Sequence, residues 1–84
     1  MRIYDYALST AKKVVSLDPE NWEGYYDAGM AMVFMGRYEE AAENFKKAIE
    51  KKPSYHLSYS QLGKCYLSLG KYNEAEKNYQ KGGI

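Results

Sequence analysis

One histidine, one cysteine and a set of scattered carboxylates are the groups in this 84-residue chain with the makings of chemistry. Catalysis needs a nucleophile, a base or a metal held together in a pocket. His56 follows Pro53, Ser54 and Tyr55 near the start of an apolar-striped stretch. That position marks a solvated surface residue, and one imidazole does not make a metal site. Cys65 has no second thiol for a disulfide or a ligand pair, and on the small inner side of a helix a thiol is an inert packing group. Glu39, Glu40, Glu43, Glu74 and Glu76 fall at helix starts or on polar faces, where the helix dipole and solubility account for them. Gly36 and Gly70 each stand alone, so no glycine-rich loop is available to cradle phosphate. These residues predict no catalytic site, no cofactor, no metal and no enzyme.

Small and aromatic residues are far more abundant, and helices must position them. From Ile3 to Leu17, Tyr4, Ala7, Leu8, Ala11, Val14 and Val15 recur at three- and four-residue spacing, which puts them on one helical face. Asp18-Pro19 ends that segment, and Asn21 can cap the next by accepting from free backbone donors. A second segment, Trp22 to Met35, carries an inner stripe of Tyr25, Ala28, Gly29, Met32 and Val33. A glycine inside a helix costs about 1 kcal/mol relative to alanine, so Gly29 predicts a closely approaching neighbour. Gly36-Arg37 interrupts the pattern for two residues, which fits an antiparallel helical hairpin. Tyr38 to Lys51 is then striped by Tyr38, Ala41, Ala42, Phe45, Ala48 and Ile49. After Pro53 the arrangement returns, with Tyr59, Leu62, Gly63, Tyr66 and Leu69, the break at Gly70-Lys71, and Tyr72, Ala75 and Tyr79. Gly82-Gly83-Ile84 frays or caps the end.

The landmarks recur at an offset of 34 residues. Tyr25 falls on Tyr59, Gly29 on Gly63, Gly36 on Gly70, Tyr38 on Tyr72, Ala41 on Ala75 and Asn44 on Asn78. Backwards, Tyr4 precedes Tyr38, Ala7 precedes Ala41 and Pro19 precedes Pro53. The pattern resembles the tetratricopeptide repeat (TPR), which runs W-x2-L-G-x2-Y, then A-x3-F, then P over about 34 residues. The closer match is Tyr59-x2-Leu62-Gly63-x2-Tyr66 followed by Ala75-x3-Tyr79. In the preceding unit Tyr25, Ala28 and Met32 replace the tryptophan, leucine and tyrosine, whereas Ala41-x3-Phe45 and Pro53 fit. Trp22 sits three residues too early to be the signature tryptophan. The resemblance implies an all-α fold of five helices, with antiparallel pairs stacked as a right-handed superhelix. It divides a single domain, 1–84, into the second helix of a partial repeat (1–19), a full repeat (20–53) and a nearly full one (54–84).

In that family the first helix of each pair lines a concave groove that holds a peptide or helix of a partner. Carried over by register, the groove candidates are Glu23, Tyr26, Asp27, Met30 and Phe34, then Leu57, Ser60, Lys64 and Leu67. Tyr26 and Met30 lead, since tyrosine offers contact area at little entropic cost and methionine adapts its shape. For Phe34, packing against the first helix competes with a groove role. Only Lys64 offers a cation, whereas gripping a terminal carboxylate takes several converging donors. The expected occupant is therefore an amphipathic helix or an apolar peptide. The second reading is a self-assembling structural unit. By register no first helix precedes Ile3, Leu8 and Val15, which would leave them uncovered for pairing between copies or mark the chain as a fragment of a longer array.

Composition narrows the partners. With 45% apolar and 27% charged residues the chain is too apolar for disorder and too often interrupted by charge to span a membrane. A net charge of +1 gives no field to draw in a phosphate backbone, which argues against nucleic acid. A lone cysteine suits a reducing compartment, and with no apolar leader at the N-terminus the expected location is cytoplasmic.

Overall fold

Sequence punctuation sets the helix ends. A computed structural model describes residues 2–83, with helices α1 (Arg2–Leu17), α2 (Trp22–Phe34), α3 (Tyr38–Lys51), α4 (Leu57–Ser68) and α5 (Tyr72–Lys81), and no strand among the described residues. Asn21 caps α2 as its side-chain chemistry predicts, its Oδ1 accepting from the Glu23 N–H at 2.9 Å. Tyr25 ties α2 back to the preceding turn, its hydroxyl donating to the Pro19 carbonyl at 3.0 Å.

Both hairpins close in the same way. Beyond α2 the Gly36 N–H donates to the Val33 carbonyl at 3.0 Å and the Arg37 N–H to Met32 at 2.8 Å. Beyond α4 the Gly70 N–H donates to Leu67 at 3.1 Å and the Lys71 N–H to Tyr66 at 2.8 Å. This paired return satisfies the last carbonyls of each helix and requires a left-handed residue at the glycine. Gly36 and Gly70 stand at φ +78° and +79°, where a side chain costs about 1–2 kcal/mol.

Each helix packs chiefly on its chain neighbours, α1 on α2, α2 on α3, α3 on α4 and α4 on α5. The shortest dimension of the Cα trace is 15 Å, the thickness expected of two helix layers whose axes lie about 8–10 Å apart. The core runs through Leu8, Ala28, Met32, Ala41, Phe45, Leu62 and Cys65. Leu8 is therefore not left bare; α2 covers it, and it is 6% exposed.

The 34-residue period extends to individual contacts. Lys47 Nζ lies over the Tyr25 ring at 5.9 Å, and Lys81 Nζ over Tyr59 at 6.0 Å. Asn44 Nδ2 donates to the Glu40 carbonyl at 3.0 Å, and Asn78 Nδ2 to Glu74 at 2.8 Å.

At the α2–α3 contact, a Cβ placed on Gly29 would come within 2.8 Å of the Phe45 ring, which is itself fully buried. Gly29→Ala should therefore lower stability by about 1–3 kcal/mol, overcoming alanine's better helix propensity. The measurement is a drop in the urea midpoint at unchanged slope; an unmoved midpoint would mean that the ring yields freely.

Candidate functional site

Two neighbouring surfaces emerge from the helix pairs. On the first, α2 and α4 each turn one edge outward. Leu57 and Leu67 on α4 are 51% and 49% exposed, and Lys64 between them is exposed too. Glu23 is exposed on α2, while Met30 and Tyr26 are half-buried.

Tyr26 is held more firmly than a free recognition residue. Its ring meets Phe45 edge-on at 5.5 Å, Tyr55 at 5.3 Å and Trp22 at 6.2 Å. Trp22 and Tyr55 stand 4.4 Å apart, with Lys52 Nζ 6.0 Å from the Trp22 ring. Burial pushes the Tyr26 phenol above its usual pKa, and Tyr55 adds to the shift. Sequence reasoning missed this four-ring cluster because Trp22 and Tyr55 both lie off the repeat signature. The available signal was the spacing of Trp22 and Tyr26, one helical turn apart.

Ser60 departs from its expected place. Its hydroxyl is turned to the Gly82 turn rather than the groove, and it has no hydrogen-bond partner among the described residues. A small side chain lets α5 end close against α4.

The second surface is a cleft of about 500 Å³ between α1 and α2. Ile3, Tyr4, Ala7 and Val14 line it from α1, and Asp27, Met30 and Phe34 from α2. Three of the groove candidates are thus gathered with α1. Phe34, 57% exposed, stacks on Tyr4 with ring centres 5.1 Å apart and planes 13° from parallel. Asp27 is the one lining residue charged at neutral pH. Partial burial raises its carboxyl pKa, the nearby Glu23 raises it further, and it forms no ion pair among the described residues. Of the proposed self-association residues, Ile3 is 78% exposed and edges this cleft, Val15 is half-buried under α2 at Gly24, and Leu8 is in the core.

His56 is exposed, as expected, and precedes α4 without a side-chain capping bond. Cys65 is fully buried. No group of three or more metal-ligating side chains occurs among the described residues, and no described helix is long and apolar enough to cross a membrane.

The sequence profile of the TPR repeat matches residues 29–70, half of the chain and the stretch that holds the α2–α3–α4 contacts. The chain belongs to the TPR repeat family. Solved TPR-like structures superimpose over nearly its whole length. MamA (AMB-1) matches with a TM-score of 0.91 at 27% identity, covering 98% of this chain and 48% of MamA. A second MamA structure (MSR-1) gives 0.89 at 28%, covering 95% of this chain and 46% of that one. The second TPR of Spaghetti (RPAP3), bound to the HSP90 peptide SRMEEVD, gives 0.91 at 26%, covering 94% and 73%. The chain spans about half the length of the MamA structures it matches. No curated protein sequence matches it. The five helices of the described residues form the all-α TPR stack that the family resemblance implies.

Burial pushes the Cys65 thiol up to about 11, against a smaller opposing pull from Lys64. The folded thiol should resist Ellman's reagent at pH 8 and react on unfolding in urea, because the thiolate is the reactive form. Since its pKa rises on folding, its contribution to stability is intact below about pH 9 and declines as pH climbs toward 11. Rapid labelling of the folded protein at pH 8 would contradict the buried placement.

Proposed function

We propose that this TPR domain is a protein-interaction scaffold that docks a partner peptide or helix along the outward face of α2 and α4, and that it carries out no catalysis. The observation that carries this reading is the exposure of Leu57, Lys64 and Leu67 on α4, with Glu23 exposed and Met30 half-buried on α2. Leucines left half in water on a recognition face gain when a partner removes them from it.

Charge narrows the partner. The peptide on the RPAP3 TPR, SRMEEVD, is acidic at its C-terminal end. Here Glu23 and Asp27 lie on the α2 side, with Lys64 as the cation on α4. Acidic peptides are thus disfavoured, and apolar or weakly basic segments fit better. Nucleic acid and membrane surfaces do not suit a chain with a net charge of +1. A cytoplasmic setting fits the single buried thiol.

The second reading, pairing between copies, rests on Ile3 and Tyr6, each 78% exposed on α1. Tyr4 is stacked on Phe34 and Leu8 is buried, so the surface open for pairing is narrower than the full α1 stripe.

Selection of a peptide library on the folded domain tests the first reading. The double variant Leu57→Asp, Leu67→Asp should weaken the selected peptides by at least about tenfold, the equivalent of about 1.4 kcal/mol. The variant should lose about 1–3 kcal/mol of stability, since each leucine is half buried, and circular dichroism should show it still folded when the peptides are tested. Selected peptides that bind the double variant equally well would remove the α2–α4 face from consideration.

A further inference from the structure

Helices α2 and α4 occupy the same register of the repeat but begin differently. Asn21 caps α2, its side chain accepting from the Glu23 N–H. Thirty-four residues on stands Tyr55, and no side chain caps α4. The first turn of α4 rests on tight three-residue bonds, the Ser58 N–H donating to the Tyr55 carbonyl and the Tyr59 N–H to the His56 carbonyl, both at 3.1 Å. Such bonds have poorer geometry than the α-helical ladder. The bond from the Ser60 N–H to the His56 carbonyl is stretched to 3.5 Å.

Hydrogen bonding inside the same stretch is incomplete. Ser58 is fully buried, and its hydroxyl has no hydrogen-bond partner among the described residues. The Ser60 hydroxyl and the Gln61 side-chain oxygen are buried and unpartnered as well. Every buried side-chain polar atom that lacks a partner among the described residues therefore falls within about one turn of α4. The matching positions of α2 leave none: Gly24 has no side chain, Tyr26 rests on Phe45 and Tyr55, and Asp27 is exposed. A buried polar group without a partner favours any conformation in which water reaches it.

The contact that closes the stretch is aromatic. The Tyr55 ring lies 4.4 Å from Trp22 and 5.3 Å from Tyr26, so the loop before α4 is fastened to α2 through this ring.

We infer that residues 55–61 form a conformational joint. Tyr55 latches it shut against α2, and release of that ring lets the first turns of α4 open while the α2–α3 hairpin stays folded. Water then reaches the unpartnered atoms, which offsets part of the lost packing. Leu57 lies within the joint and Leu67 beyond it, so opening divides the exposed leucine edge. On the docking reading above, a partner seated on both leucines holds the joint shut. The opening itself belongs to the chain alone; its test needs no partner and leaves the docking reading to its own experiment.

Native-state hydrogen exchange at increasing urea measures the opening. Protection factors at residues 60–63 should be at least about tenfold below those at residues 26–29, their counterparts in register. Their urea dependence should be shallower, since a local opening exposes little surface. Ser58→Ala removes the buried hydroxyl and should raise protection at residues 60–63 at least about tenfold, more than the roughly two- to threefold that alanine's helix propensity supplies. Tyr55→Ala removes the latch and should lower it at least about tenfold. Equal protection in the two stretches, or equal urea dependence, overturns the joint. So does protection at residues 60–63 that either substitution leaves unmoved.

Discussion

The ring of Phe45 takes up the space that a side chain on Gly29 would need, and much of the structure follows from that exchange. Helix α2 gives up helix propensity at this point so that α3 can approach its backbone. Close approach seals Phe45, Ala41 and Ala48 from water, which strengthens dispersion contacts as well as apolar burial. It also gives Tyr26 a ring to rest on, and Tyr26 in turn anchors Tyr55 from the loop before α4. Thus a missing Cβ in one helix helps decide where the next hairpin begins.

The contact is modular. The same turn geometry, cation–ring contact and asparagine-to-carbonyl bond return in the second hairpin, where Gly63 faces Tyr79 and the Ala75 backbone instead of a phenylalanine. Lysine placement over tyrosine lets a charged end stay in water while its stem covers an aromatic face. Surface ion pairs add little by comparison. Even the closest, Lys51 to Glu20 at 3.1 Å, has its carboxylate largely in solvent, where such pairs contribute about 0–1 kcal/mol.

The fold was legible because its determinants are local and repeated. Proline and glycine punctuation, three- and four-residue spacing and a constant offset locate five helices and both hairpins, to within a residue at the ends of α1, α2 and α3. The candidate surface was less legible, because register says which way a residue points but not what else arrives there. Ser60 turned toward Gly82 because α5 ends against it. Tyr26 was claimed by rings from outside the signature. Register puts Asp27, Met30 and Phe34 in a groove, yet the cleft they line is completed by α1. The order of units alone leaves Leu8 uncovered, while a single neighbour, α2, suffices to bury it.

Because each helix leans chiefly on the one before and the one after, the molecule behaves as a short chain of links rather than a closed shell. Disturbance at one rim is passed inward a link at a time and weakens at each joint, so opening of the terminal helices need not loosen the middle hairpin. A ligand that clamps only the first two rods would stiffen that end and leave the far end to breathe.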